Sequence, residues 1–200
     1  DTVFVGDHDG VVHALNAADG TLEWDYDRGT PFKPSPAVSD GTVYATNSNG
    51  HVYALRADDG FEQWAYEIAD GPLLTSPAVG DGTVYLGGSD GVLYALGTDR
   101  GREQWTFETD GALGSPVVAG DTVYVGSEDN YVYAVNTADG TEKWSFDVGG
   151  PVEDSLAVTD GEVYARVKNR GLVSITVDLQ ANIDYTPSKP VTNETITFDA

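Results

Sequence analysis

Residues 14–24 read Ala-Leu-Asn-Ala-Ala-Asp-Gly-Thr-Leu-Glu-Trp, and this phrase returns three more times along the 200-residue chain. The later copies span 54–64, 95–105 and 134–144, and each keeps Ala first, Gly seventh and Trp last. The four tryptophans that end the copies therefore stand 40, 41 and 39 residues apart. A period of about 40 residues is typical of β-propeller blades, so the chain is predicted to be an array of one repeated unit.

Two other phrases repeat with the same period and complete the unit. Turn dipeptides such as Asp9-Gly10 and Asn49-Gly50 follow a valine-aromatic triplet at 3–5 or 43–45. Tight hairpin turns need the positive φ that these residue types tolerate. We therefore expect an all-β fold, a β-propeller of four-stranded antiparallel blades, with about four to five blades in this chain. The two phrases are a valine-aromatic triplet at 3–5, 43–45, 84–86, 123–125 and 163–165, and Ser-Pro-Ala-Val or a variant of it at 35–38, 76–79, 115–118 and 155–158.

The propeller repeats are expected over residues 1–178, in units of about 1–41, 42–82, 83–121 and 122–161 and a partial unit, 162–178. The first unit lacks the strand that begins the others, so closure within the chain, further repeats and a pair of half-propellers all stay open. Residues that recur in every unit usually serve the architecture, so we expect docking contacts between blades at Trp24, Trp64, Trp105, Trp144, Gly20, Gly60, Gly101 and Gly140.

The composition limits the classes of partner. The formal net charge is −23, from 33 acidic residues against 10 Lys and Arg, and such a chain repels nucleic acid and anionic membranes. No stretch approaches the ~18 apolar residues of a membrane-spanning helix. Cysteine is absent, which removes disulfides and thiolate sites. The charge favours a halophilic source, in which an acidic surface holds hydrated cations and salt screens the repulsion between carboxylates.

The repeated phrase resembles the tryptophan-docking motif of pyrroloquinoline quinone (PQQ)-like propeller repeats over about residues 1–178. That family includes quinoprotein alcohol dehydrogenases and non-enzymatic members such as the outer-membrane assembly lipoprotein of Gram-negative bacteria. Its dehydrogenases usually have eight blades, an adjacent cysteine pair, a calcium ion and a catalytic Asp. Because this chain has no Cys and no matching Asp, we assign no catalytic, cofactor or metal residue and expect no cofactor. PQQ with calcium is the alternative.

The C-terminal residues 179–200 lose the repeat pattern. They resemble a linker and the opening strands of a PKD-type, immunoglobulin-like domain, a module common in extracellular and cell-surface proteins. The resemblance implies a secreted, multidomain parent protein with an extracellular or cell-surface location.

The candidate binding face is formed by the first hairpin loop of each unit and the linker into each Ser-Pro strand. These loops differ between units on a fixed frame, as a binding face would. Acidic pairs there resemble ligands for a hard cation, although Asp-rich tips are also ordinary turn chemistry. The candidate residues are Asp7, His8, Asp9, Phe32, Asn49, Leu73, Leu74, Asp90, Glu128, Asp129, Glu153 and Asp154.

Three functions remain open from the sequence. The first is a non-catalytic extracellular or cell-surface scaffold that binds a protein or glycan partner on the loop face. The second is the cofactor-binding portion of a PQQ-dependent dehydrogenase, and the third is a structural spacer of a surface protein. An exposed apolar patch on the loop face, to which Phe32, Leu73, Leu74 and Leu113 are candidates to contribute, would separate the first from the third.

Overall fold

The chain folds into a series of five β-sheets, which we call blades 1 to 5. The computed structural model describes residues 1–68, 75–152, 156–159 and 161–176, together with the backbone of 196–197, and none of these segments is helical. Blades 2 to 5 are four-stranded and blade 1 is three-stranded. The prediction of an all-β propeller with four-stranded antiparallel blades is confirmed.

The strands follow one another in chain order within each blade. Blade 1 contains β1 (Thr2–Gly6), β2 (Val11–Asn16) and β3 (Leu22–Asp27), and blade 2 contains β4 (Ala37–Ser39), β5 (Thr42–Thr46), β6 (His51–Arg56) and β7 (Glu62–Glu67). Blade 3 contains β8 (Ala78–Gly80), β9 (Thr83–Gly87), β10 (Val92–Gly97) and β11 (Glu103–Glu108), and blade 4 contains β12 (Val117–Ala119), β13 (Thr122–Gly126), β14 (Tyr131–Asn136) and β15 (Glu142–Asp147). Blade 5 contains β16 (Ala157–Thr159), β17 (Glu162–Val167), β18 (Gly171–Thr176) and β19 (Ile196–Thr197).

The short Ser-Pro strands form the inner edge of the blades. Strand β4 contacts β8, β8 contacts β12, and β12 contacts β16, so these strands line up from one blade to the next. The serines before them reinforce the alignment: the Ser35 N–H donates to Ser76 Oγ at 3.0 Å, and the Ser76 N–H donates to Ser115 Oγ at 2.9 Å. Blade 1 has no such strand, as the sequence predicted.

The last strand departs from the pattern of the others. Strand β19 pairs with β18 in parallel, whereas every other pairing within a blade is antiparallel. The predicted PKD-type domain lies outside the described residues, apart from the backbone of this short strand.

The hydrophobic core lies between blades rather than within them. Each of the four buried clusters joins residues of two consecutive blades; the cluster of blades 2 and 3, for example, combines Val52 and Trp64 with Leu86 and Leu96. A sheet covered on both faces needs apolar residues on both, which explains why all of β5, β9 and β13 is buried.

A tight turn joins the first two long strands of each blade. Gly10 there has φ of +96°, and a Cβ added to it would lie 2.2 Å from the Thr30 nitrogen of the following linker. In blade 4 the position is held by Asn130, with φ of +83°. Both residue types tolerate the left-handed region, so the turn signals identified in the sequence have this conformational cause.

Candidate functional site

The candidate site is the loop face, which consists of the hairpin loops at 7–10, 47–50, 88–91, 127–130 and 168–170 and the described parts of the linkers between blades, at 28–36, 75–77, 109–116 and 148–152. Main-chain hydrogen bonds of 2.9 Å tie the two sets together. The Ser48 N–H donates to the Pro31 carbonyl, the Glu128 N–H to Ala112 and the Lys168 N–H to Pro151. These three linkers are therefore fixed to the hairpin loop of the next blade, and their described residues lie on the same face as those loops.

Carboxylates close the hairpin loops of blades 3 and 4. One Asp90 oxygen accepts the Val92 N–H at 3.1 Å and the other accepts the Tyr94 hydroxyl at 2.6 Å. Asp129 repeats the arrangement, with the Tyr131 N–H at 3.0 Å and the Tyr133 hydroxyl at 2.7 Å. The pKa values of Tyr94 and Tyr133 are raised, mainly because their rings are partly or fully buried. The adjacent carboxylate, Asp90 or Asp129, raises the pKa further. These two candidate residues thus have a structural role in their own loops.

Asp7 has a different partner in blade 1. Its Oδ1 accepts the N–H groups of Gly10 and Val11, and its Oδ2 lies 2.9 Å from His13 Nε2. The other ring nitrogen of His13, Nδ1, lies 2.6 Å from Asp25 Oδ1. The hydrogen bond with Asp7 is the main cause that raises the pKa of His13, while the Val11 N–H is the main cause that lowers the pKa of Asp7. His13 and Asp25 were not among the residues predicted from the sequence, because they stand on β2 and β3, away from the loop phrases.

The remaining polar candidates are available to a partner. The side chains of His8, Asp9, Asn49 and Glu128 are exposed at the loop tips. Asp90 is also exposed, although its carboxylate is engaged as described. Four further candidates, Leu73, Leu74, Glu153 and Asp154, lie outside the described residues.

The expected apolar patch needs a correction at two residues. Phe32 is 1% exposed and Leu113 is 6% exposed, so neither contributes to an exposed surface. The reason is a glycine at the end of a strand: Phe32 packs over Gly6, and Leu113 packs over Gly87. A Cβ at Gly6 would lie 2.5 Å from Phe32 Cβ, which shows how closely the linker approaches the strand. The signal was present in the sequence, since the valine-aromatic triplets of blades 1, 3 and 4 are followed by Gly.

The tryptophans lie at the opposite end of the blades from the loop face. The indole N–H of Trp24 donates to the Ala57 carbonyl at 2.9 Å, that of Trp64 to Thr98 at 2.8 Å, and that of Trp105 to Thr137 at 3.0 Å. Each acceptor belongs to the next blade. In the same turn of the next blade a glycine touches the ring: a Cβ added to Gly60, Gly101 or Gly140 would lie 2.5–2.7 Å from a ring atom. Trp144 packs against the cluster shared by blades 4 and 5.

The donor groups of the described residues do not form a site for a calcium-bound quinone. Within the described ranges, no three His, Cys, Asp or Glu side chains come together in a way that could hold a metal ion. The sequence also contains no cysteine to form the pair that the dehydrogenases use. No reaction step is therefore derived through this cofactor.

A membrane-spanning helix is not found among the described residues, because none of them forms a helix of sufficient length and apolarity.

Solved structures with a similar fold come from proteins of different kinds. BamB of Moraxella catarrhalis superposes with a TM-score of 0.78 at 21% identity, over 87% of this chain and 54% of that one. A computationally designed protein, Ika8, gives a TM-score of 0.78 at 18% identity, over 86% of this chain and 54% of that one. A quinohemoprotein alcohol dehydrogenase of Pseudomonas putida HK5 gives 0.74 at 19% identity, over 87% and 38%.

At these identities the likeness shows the fold alone, and the chain spans only about half the length of the first two structures. Comparison with curated proteins gives no match. The family model described as outer membrane protein assembly factor BamB matches residues 1–112 and 89–182, which together include every described residue up to 176. The chain therefore belongs to the PQQ-like repeat family that carries the BamB description.

Proposed function

We propose that the chain is a non-catalytic binding scaffold that contacts a protein partner through its loop face. The observation that carries the proposal is that the main-chain contacts of that face recur between blades while its exposed side chains differ. The main-chain bonds at Ser48, Glu128 and Lys168 recur at 2.9 Å in blades 2, 4 and 5, whereas the exposed side chains beside them differ. A rigid frame with varied tips lowers the entropy cost of binding and leaves specificity to the side chains.

The described part of the loop face favours a partner with charged and polar groups. The exposed charged side chains there include the acidic Asp9, Asp90, Asp110 and Glu128 and the basic Arg28, Lys33 and Lys168. Complementary charge speeds association and selects among partners more than it adds affinity. With Phe32 and Leu113 buried, the proposed contact rests on polar side chains rather than on an apolar patch.

The test compares two triple variants with the same change in charge. Asp9, Asp110 and Glu128 are replaced by Lys on the loop face, while Asp58, Asp99 and Glu142 are replaced by Lys at the opposite end of the blades; all six side chains are exposed. Each immobilised protein is incubated with envelope proteins extracted from the source organism, and the captured proteins are quantified by mass spectrometry. We expect the same partner on the native protein and the opposite-end variant, and its loss from the loop variant.

Equal capture by all three proteins would contradict the proposal and favour a spacer. Loss of capture after enzymatic removal of glycans from the extract would show that the loop face recognises a glycan rather than a protein surface.

We propose an extracellular or cell-surface location in a halophilic organism for the parent protein. The support is the net charge of −23, together with the BamB description of the family. Repulsion among carboxylates grows as the Debye length increases from ~3 Å in 1 M salt toward ~20 Å in dilute buffer. The melting temperature is therefore expected to fall as KCl is lowered from molar to tens of millimolar, in a thermal melt followed by circular dichroism. A constant melting temperature would contradict the halophilic source.

The dehydrogenase alternative has its own measurement. PQQ and calcium are titrated together into the protein in molar salt while tryptophan fluorescence is recorded. Unchanged fluorescence is expected under the scaffold proposal, and saturable quenching at micromolar concentration would favour the enzyme.

A further inference from the structure

A groove lined by three aromatic rings lies at the junction of blades 3 and 4, beside the loop face. Phe107 of β11 and Tyr133 of β14 face each other, with ring centroids 5.5 Å apart and an interplanar angle of 64°. Tyr131 adds a third ring, 5.9 Å from Tyr133, and is 37% exposed. Phe107 and Tyr133 are partly exposed as well. We call these three residues the aromatic groove.

The junction of blades 1 and 2 repeats this arrangement and holds a cation on it. Tyr26, His51 and Tyr53 occupy the three matching positions, and the centroids of Tyr26 and Tyr53 are 5.6 Å apart at 60°. The guanidinium carbon of Arg28 lies 4.7 Å from the Tyr26 centroid and 5.4 Å from the Tyr53 centroid, and its Nη2 donates to Glu62. The cation therefore has two ring faces and a carboxylate, the combination that favours a cation–π contact.

Thr109 stands at the aromatic groove where Arg28 stands in the other junction. Each residue follows its tryptophan by four positions, and each donates its N–H to the hairpin loop of its own blade. Thr109 Oγ1 lies 2.8 Å from the Gly91 carbonyl oxygen and 2.9 Å from that of Gly111, so the hydroxyl is directed at the main chain and away from the rings. Within the described residues, the cation–π contacts involve Arg28 and Arg56, and neither lies at the aromatic groove.

The remaining two junctions fill the position of Thr109 with apolar side chains. Ile68 is 4% exposed between blades 2 and 3, and Val148 is fully buried between blades 4 and 5. Among the four described junctions, that of blades 3 and 4 thus combines facing rings with a small polar residue. Tyr133 is accordingly more exposed than its counterpart Tyr53, which is 7% exposed beneath Arg28.

Carboxylates flank the aromatic groove at positions that are neutral in the junction of blades 1 and 2. Asp110 and Asp129 stand where that junction has Gly29 and Asn49. One oxygen of Asp129 accepts the Tyr133 hydroxyl at 2.7 Å and the Asp110 N–H at 3.2 Å, which places both acidic residues beside the rings. The electron-rich ring faces and the two carboxylates attract the same kind of group, a cation.

We propose that the aromatic groove binds an arginine side chain of the protein partner, in the place that Arg28 takes between blades 1 and 2. The inference rests on the proposed function, since it supplies the chemistry of one contact on the loop face. A guanidinium fits better than an ammonium because it is planar, stacks on rings and donates along its edge to carboxylates. Its plane lies against Phe107 and Tyr133, and its N–H groups donate to Asp110 and Asp129.

The first experiment titrates a defined peptide into the ¹⁵N-labelled protein and follows the amide resonances by NMR. The probe is acetyl-Gly-Arg-Gly-amide. Its matched control is acetyl-Gly-citrulline-Gly-amide, because citrulline keeps the planar side chain and lacks the charge. We expect the arginine peptide to shift the amides of Asp110, Tyr131 and Tyr133, and the citrulline peptide to bind about 2- to 5-fold more weakly. Equal affinities, or shifts that leave these three amides unchanged, would overturn the proposal.

Two variants at one position test the groove from within the chain. Thr109→Arg supplies the side chain that blades 1 and 2 already contain, whereas Thr109→Gln loses the same hydroxyl contacts and adds no charge. We expect Thr109→Arg to melt at a higher temperature than Thr109→Gln and to abolish the shifts caused by the arginine peptide. Shifts that persist in a folded Thr109→Arg variant would contradict the assignment.

A ring substitution gives a second test that does not depend on Thr109. Phe107→Leu keeps an apolar side chain and removes one ring face, so the arginine peptide should bind about 2- to 5-fold more weakly. Phe61→Leu is the matched control, since Phe61 is 63% exposed at the opposite end of the blades. The same weakening in both variants would show that the peptide does not bind at the groove.

Capture of the partner from the envelope extract separates this inference from the proposed function. Thr109→Gln is expected to capture the same partner as the native protein, and Thr109→Arg is expected to lose it. A partner that both variants capture, and that the triple loop variant loses, would keep the scaffold and overturn the arginine contact. Equal capture by every variant, together with specific shifts from the arginine peptide, would contradict the scaffold and keep the groove as a guanidinium site.

Discussion

The two ends of each blade differ in how much their contacts vary from one blade to the next. At the end that carries the tryptophans, an indole donates to a main-chain carbonyl of the next blade and rests on a glycine, with little variation from blade to blade. At the loop face of blades 1 to 4, the residue that starts the hairpin loop is Asp7, Asn47, Gly88 and Ser127 in turn, and their hydrogen bonds differ. The difference indicates that one end maintains the architecture while the other is free to diverge. Substitutions at the two ends should therefore differ in the size of their effect on stability.

The largest effect is expected at a tryptophan. Trp105→Ala removes a buried ring, opens a cavity beside Gly140 and removes the indole N–H that donates to the Thr137 carbonyl. The free energy of unfolding should fall by about 3–5 kcal/mol. Urea denaturation followed by circular dichroism measures it. Trp105→Phe, which keeps much of the apolar volume, should lose less, and a loss below about 1 kcal/mol for the alanine variant would contradict the role of the ring.

The next effect separates two glycines that differ in their neighbours. Gly101 and Gly120 both have φ near +60°, but a Cβ at Gly101 would lie 2.5 Å from Trp64, whereas at Gly120 it would meet nothing within 4 Å. Gly120→Ala should cost about 1–2 kcal/mol from the left-handed backbone alone. Gly101→Ala should cost about 1–3 kcal/mol more because the core is overpacked. Equal melting temperatures for the two variants would show that the Trp64 ring tolerates a Cβ at position 101, which would contradict the prediction.

A smaller effect is expected at the loop face. Tyr133→Phe removes the hydroxyl that donates to Asp129 at 2.7 Å and keeps the ring that contacts Phe107. A hydrogen bond to a charged group contributes about 1.5–3 kcal/mol when buried and less in a partly exposed loop, so we expect a loss of roughly 1 kcal/mol. Tyr131→Phe is the control, since no hydrogen bond of the Tyr131 hydroxyl is found within the described residues. Similar melting temperatures for the two variants would contradict this role of the hydroxyl.

The smallest expected effect is a dependence of the free energy of unfolding on pH, which arises from His13 in blade 1. The pKa of His13 is raised above its ordinary 6.5 because Asp7 and Asp25 flank the ring, so folding favours its protonated form. The stabilisation is present in full below pH 6.5 and is lost as the pH rises through the folded pKa. At the acid side, the lowered pKa of Asp7 means that its contribution is lost as the pH falls below about 4.

Because both carboxylates are near the surface, the expected change in unfolding free energy across neutral pH is below about 1 kcal/mol. Chemical denaturation at pH 6 and pH 8.5 measures this difference. His13→Tyr introduces the residue of the matching position in blades 2 to 4, and this variant should lose the dependence on pH. A native protein with the same stability at both values would contradict the prediction.

Repetition explains why much of the fold could be predicted. The strands, the hairpin turns and the missing inner strand of blade 1 follow from short phrases with local causes, such as the positive φ at Gly10. Packing of the linkers does not follow from such phrases. Phe32 and Leu113 were expected on the surface because they stand in a linker, but each covers a strand that ends in glycine.

The charged group in blade 1 was hidden for a similar reason. Asp7 was identified from its loop, but its partners His13 and Asp25 come from two other strands. Register brings them together: His13 pairs with Asp25 across β2 and β3. Single residues without a repeated phrase give no signal of this kind, so only the folded sheet reveals them.

The tryptophan contact has a consequence for how this family changes over evolutionary time. The indole recognises a backbone carbonyl, and the residue that presents it is Ala57 in one blade and Thr98 or Thr137 in the next. Selection on the contact therefore leaves the identity of that residue almost unconstrained. Solved structures therefore keep this fold at only 18–21% identity to the chain, with TM-scores of 0.74–0.78. Within the chain, the repeat is marked by the spacing of its tryptophans and glycines.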